Sequence, residues 1–70
     1  MGGITMVRYF IHFDKITRTG VKRHYYREFE KAHDAFEYMR KKTFDEQIEN
    51  VRGFAHHELD GVTYVAKLTL

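Results

Sequence analysis

Asp60-Gly61, held between Leu59 and Val62, constrains the fold more than any other pair in the chain. A two-residue type I′ turn needs positive φ at both central positions, which aspartate tolerates and glycine favours, and alternating apolar residues on either side complete the hairpin signal. The turn sets Leu59 against Val62, then His57 against Tyr64, Ala55 against Ala66, Gly53 against Leu68 and Val51 against Leu70. That face is almost wholly apolar. The other carries Arg52, Phe54, His56, Glu58, Thr63, Val65, Lys67 and Thr69. Neighbouring strand residues point to opposite faces, so His56 and His57 cannot share a metal ion unless a bulge intervenes. His57 is expected at the edge of the core, against Tyr64.

A second hairpin is expected at the start of the chain. From Ile4 to Phe13 the sequence "ITMVRYFIHF" has period two, with Val7, Tyr9, Ile11 and Phe13 on one face and Met6, Arg8, Phe10 and His12 on the other. "VKRHYYREF" reads as its partner strand. A three-residue loop of Arg18, Thr19 and Gly20 sets Thr17 opposite Val21, Phe13 opposite Tyr25 and Tyr9 opposite Phe29, and brings Asp14 to His24. A four-residue loop would place Lys15 against Lys22 and Tyr9 against Glu28, so the shorter loop is preferred.

Between the hairpins the period changes. In "EKAHDAFEYMRKK" an apolar stripe of Ala32, Ala35, Phe36 and Met39 recurs at helical spacing, Glu37 and Lys41 form an i,i+4 pair, and Glu30 and Lys41-Lys42 suit the two ends of a helix dipole. Thr43 and Glu46 have the spacing of a capping box, which predicts a short second helical turn carrying Phe44 and Ile48; with no glycine or proline there, one longer helix is the alternative. The fold class expected is α+β: a small two-layer β-β-α-β-β domain over residues 1–70, with an antiparallel-dominated sheet of two hairpins and one amphipathic helix on one face.

A chain of 70 residues buries only roughly 60% of its unfolded surface, so packing or association must compensate for a small core. Cysteine is absent, which removes disulfides and thiolate metal sites. No apolar run approaches the roughly 20 residues of a membrane span, no signal-peptide pattern precedes a cleavage site, and Met1-Gly2-Gly3 lacks the Ser or Thr at position six of a myristoylation motif, having Met6. A cytoplasmic location is expected.

Catalysis is not expected. The chain has neither cysteine nor serine, no glycine-rich phosphate loop and little volume for a pocket, and no cofactor is implied. His12, Asp14 and His24 share a face of the first hairpin and could ligate a metal in principle, but strand spacing gives little geometric support, and a solvated cross-strand His–Asp pair is the expectation.

Charge is unevenly placed along the chain. Lys15, Arg18, Lys22, Arg23 and Arg27 follow Asp14 with no acidic residue among them, whereas Asp45, Glu46, Glu49, Glu58 and Asp60 face only Arg52. The face away from the helix combines Phe10, Tyr26 and Phe54 with Arg8, Lys22 and Lys67. Aromatic rings flanked by cations suit either a stacking platform for single-stranded nucleic acid or a protein interface. A net charge of only +2, and an apolar set that also includes Met6 and Val65, favour the protein interface. The expected function is a non-enzymatic binding or regulatory module acting through protein contacts. It would use Arg8, Phe10, Lys22, Arg23, Tyr26, Arg27, Phe54 and Lys67, with sheet-to-sheet pairing of two copies as one form. Nucleic-acid binding by the same residues is the alternative.

Overall fold

The computed structural model describes residues 6–70. The Met1-Gly2-Gly3 start and the expected strand residues Ile4 and Thr5 lie outside them. The elements run β1 (Met6–Ile16), β2 (Lys22–Phe29), α1 (Ala32–Thr43), β3 (Ile48–Leu59) and β4 (Val62–Leu68). The four strands form one antiparallel sheet in the order β2-β1-β3-β4. The two long strands are therefore central neighbours and the two short ones are the edges.

Both hairpins have the expected registers, although β4 ends at Leu68 and the expected pairing of Val51 with Leu70 does not form. Phe13 pairs with Tyr25, Tyr9 with Phe29 and Asp14 with His24. The Thr17 amide bonds the Val21 carbonyl at 2.9 Å, and Gly20 takes φ 83°. In the second hairpin Leu59 pairs with Val62, His57 with Tyr64 and Gly53 with Leu68, while Asp60 and Gly61 take φ values of 51° and 77°. These are the positive values that a type I′ turn requires.

The expected second helical turn does not form. Thr43 ends α1, its hydroxyl donating back to the Met39 carbonyl at 2.9 Å instead of capping a new helix. Asp45 then closes a turn: its Oδ1 accepts from the Gln47 amide at 2.9 Å and its carbonyl from the Ile48 amide at 3.1 Å. With the chain reversed in so few residues, β3 begins at Ile48, opposite Lys15. The longer strand gains pairing with β1 that a helical turn would forgo.

The core lies between α1 and the sheet at one end of the strands. Ile11, Phe13, Ala35 and Met39 are the buried hydrophobic residues, with Tyr9, Phe29, Tyr38, Val51 and Leu68 packed partly against this cluster. Tyr38, outside the expected stripe, inserts between Phe29 and Phe13, with ring centroids 5.1 and 6.2 Å away. Gly53 is buried here because Ile11 and Leu68 fold over it: a Cβ at this position would lie 2.9 Å from Ile11 Cδ1 and 3.0 Å from Leu68 Cδ1. The glycine lets the two side chains meet across a central strand.

Lengths decide how far this core extends. A strand of 11 or 12 residues spans about 35 to 40 Å, whereas a helix of 12 residues spans about 18 Å. The helix packs on β1, β2 and β3, and β4 joins the core only through Leu68. Beyond the helix, Val62 and Tyr64 continue the apolar face of the sheet yet are 50% and 56% exposed.

Candidate functional site

Among the described residues no second layer of secondary structure covers the sheet face opposite α1. Even-numbered residues of β1 and β2 and their partners on β3 and β4 line it, as the alternation of strands dictates. At its centre six rings gather. Phe10 lies 4.6 Å from His56 and 6.5 Å from Tyr26 between centroids, and His12 stacks on His24 at 5.2 Å and on Tyr26 at 5.5 Å. Phe54 meets the edge of His12 at 5.8 Å. Phe10 and Phe54 are half-buried by these neighbours, while Tyr26 remains 63% exposed.

One end of this cluster is a hydrogen-bonded row. Asp14 Oδ1 and His24 Nδ1 lie 3.0 Å apart, His24 Nε2 and His12 Nδ1 are also 3.0 Å apart, and Asn50 Nδ2 donates to Asp14 Oδ2 at 2.9 Å. Asn50 reaches Asp14 because the β1–β3 ladder shifts register between His12 and Asp14, and Asn50 itself adopts φ 55°. Asparagine is among the few residues that tolerate this conformation. The Asn50 amide and then His24 hold the Asp14 carboxyl below its ordinary range.

An ionised Asp14 can only accept, so His24 donates from Nδ1. In a neutral ring Nε2 then accepts from His12 Nδ1–H, which leaves the His12 Nε2 lone pair unused by the row. Burial lowers the His12 pKa, as do the nearby His24, Arg52 and His56, and so favours this neutral form. The cluster thus presents aromatic faces and a hydrogen-bond acceptor.

His12, Asp14 and His24 bond one another in a row and do not converge on a common point. Among the described residues no group of three or more His, Asp or Glu side chains is placed to hold a metal ion.

Arg8, Lys22 and Lys67 lie on the open face as expected, but Arg8 and Lys22 are paired there. Arg8 contacts Glu28 at 2.7 Å and Glu30 at 3.6 Å, and Lys22 contacts Glu49 at 2.5 Å, which raises the Lys22 pKa. Arg23 and Arg27 do not join Lys22: adjacent positions alternate, and both fall on the helix side of β2. The Arg27 guanidinium lies 5.3 Å from the centroids of both Phe29 and Tyr38. On the open face Arg52 donates to the Asn50 carbonyl at 2.9 Å, and Lys67 pairs in register with Phe54. Arg8, Phe10, Lys22, Tyr26, Phe54 and Lys67 therefore share one face, and Arg23 and Arg27 lie on the other.

Sequence reasoning missed Asn50, Glu28 and Glu49 as members of this surface. Glu28 follows from the register of the first hairpin, which sets it against Phe10 and diagonal to Arg8; Glu49 and Asn50 could be placed only with the strand order known. Comparison with known proteins finds no matching family model, no similar curated protein and no similar solved structure. No helix among the described residues is long and apolar enough to cross a membrane.

Proposed function

We propose that this chain is a non-enzymatic binding module of the cytoplasm that docks a protein partner on its open sheet face. The observation that carries the reading is the uncovered cluster of Phe10, His12, Tyr26, Phe54 and His56, extended by Met6 and Val65, which are 50% and 59% exposed. An apolar aromatic centre with a polar rim is the composition of a protein interface.

Charge supports a protein over a nucleic acid. Arg8 and Lys22, which a phosphate backbone would need, already face Glu28 and Glu49, and Arg23 and Arg27 lie on the opposite face. A polyanion would have to displace Glu28 and Glu30 from Arg8 and Glu49 from Lys22 to reach them. The partner surface expected has an apolar centre to meet Phe10 and Tyr26, and acidic groups within reach of Arg52 and Lys67.

Capture from native lysate, with and without nuclease, tests the reading when parent and a Phe10→Ser/Tyr26→Ser variant are compared. The expected result is a protein retained by the parent after nuclease and lost by a variant that still folds. Tight oligonucleotide binding by the parent, falling steeply with salt, would replace this reading with the nucleic-acid one.

A further inference from the structure

The geometry points to β4 as the contact edge of a homodimer, in which two copies pair their β4 strands antiparallel about a two-fold axis at Val65. The contact is made by the backbone edge of β4 and does not depend on what the open face binds, although Val65 and Lys67 project from that face.

The sheet has two edges and only one is protected. β2, the first edge, carries Lys22, Arg23, Arg27 and Glu28, the charged residues that discourage strand addition. β4 reads "VTYVAKL", has one charged residue, and is exposed at every position but Leu68. Among the described residues its outer backbone groups have no strand partner, β4 closing the sheet order β2-β1-β3-β4. The neighbouring hairpin turn identifies them. Leu59 and Val62 flank a two-residue turn and exchange the first hydrogen bonds, so alternation aims the amides and carbonyls of Thr63, Val65 and Lys67 outward.

A second copy satisfies that pattern in one register better than in its neighbours. Centring on Val65 sets Val65 against its own counterpart and Thr63 against Lys67 of the other copy, so all the outward groups pair, in about six hydrogen bonds. On the helix side the same register sets Tyr64 against Ala66 and Val62 against Leu68, large beside small and apolar beside apolar. Moving the centre to Tyr64 or Ala66 keeps the faces matched but leaves an end of the strand unpaired.

Charge completes the match. Glu58 lies beside Thr63 in the β3–β4 ladder, so in the dimer Lys67 of one copy reaches over the short Thr63 to Glu58 of the other, twice by symmetry. Among the described residues neither Glu58 nor Lys67 has an ion-pair partner within the chain. The dimer would place Val62 and Tyr64, which no helix covers, in a continuous apolar strip between the two helices. It would also carry both open faces on the same side of one eight-stranded sheet, since the axis is normal to it.

Sedimentation equilibrium of the full chain from micromolar to millimolar concentration tests this, with circular dichroism to verify folding. The parent is expected to show a monomer–dimer equilibrium. Val65→Lys, which sets like charges face to face at the axis, is expected to weaken it by about tenfold or more. Lys67→Glu is expected to weaken it as well, and the exchange Glu58→Lys/Lys67→Glu to restore it, a recovery that no general effect on folding would produce. A parent that stays monomeric throughout overturns the proposal. So does a Val65→Lys variant that dimerises like the parent, or a charge exchange that fails to recover pairing. Loss of dimer in Phe10→Ser/Tyr26→Ser with retention in Val65→Lys would instead put the contact on the open face.

Discussion

The two faces of the sheet come from the same four strands and are held together by different physics. The helix side is a small apolar core in which Ile11 is wholly buried and Gly53 lets Ile11 and Leu68 close over it. The open side is a lattice of ring contacts, hydrogen bonds and ion pairs whose members keep much of their surface in water. Burial stabilises in proportion to the apolar area removed from water, whereas exposed ion pairs contribute roughly 0 to 1 kcal/mol each. The helix side therefore sets stability, and the open side contributes little to it.

The largest effect should come from the helix side. Ile11→Ala is expected to lower unfolding free energy by about 2 to 5 kcal/mol, because it removes the one large side chain that is fully buried among the described residues and leaves a cavity under α1. Chemical denaturation measures it; a loss below about 1 kcal/mol would mean that the core is not where the packing places it. Gly53→Val should rank next, at about 1 to 3 kcal/mol, since its Cβ would lie 2.9 Å from Ile11 Cδ1 and 3.0 Å from Leu68 Cδ1 and both core side chains would have to shift. Gly61→Val should cost about 1 kcal/mol or more through its φ of 77° alone, because nothing crowds the turn. Tyr26→Ser, on the open face, should change stability by about 0.5 kcal/mol, the range of surface substitutions. A Tyr26 variant that melted as early as the Ile11 variant would erase the distinction between the faces.

How much of this was legible in the sequence follows from the range of the interactions. Gly20 and Asp60-Gly61 announce their turns because the backbone conformation is a property of those residues, and each turn then fixes the register of a whole hairpin. The faces follow by alternation. Thr43 misleads because threonine serves equally as the cap of a new helix or as a donor to the old one, and which it does depends on whether Ile48 finds Lys15. The joining of the hairpins through β1 and β3 has no local signal. Glu49 reaching Lys22 and Asn50 reaching Asp14 follow from that joining and could not be read beforehand, whereas Glu28 beside Arg8 lies within the first hairpin and follows from its register. The basic cluster misleads for a simpler reason: Lys22 and Arg23 are neighbours in sequence and therefore opposed in a strand.

The smallest expected effect, and the one that isolates the open face, is its response to pH. The folded His12 imidazolium is disfavoured by burial and by His24, Arg52 and His56, so the unfolded chain takes up that proton first. Its contribution is present above the ordinary histidine value of about 6.5 and is lost as pH falls through the lower folded value. Asp14 acts in the same direction further down, since the hydrogen bonds from Asn50 and His24 favour its carboxylate. Its contribution is present above the ordinary aspartate value of about 3.9 and is lost as pH falls through its depressed folded value. Lys22 acts at the other extreme: Glu49 raises its folded pKa, so its contribution is present below the ordinary lysine value of about 10.4 and is lost as pH rises through the folded one. Denaturation midpoints followed from neutral pH downward should therefore decline in two stages. His12→Gln should flatten the first stage and leave the second, and Asp14→Asn should flatten the second. Because Asp14 also orients His24, Asp14→Ala should loosen the His12–His24 contact and change the His12 titration, which the His12 ring resonances report directly by NMR. An unchanged His12 titration in that variant would mean that the row from Asn50 to His12 is a set of separate contacts and not a connected network.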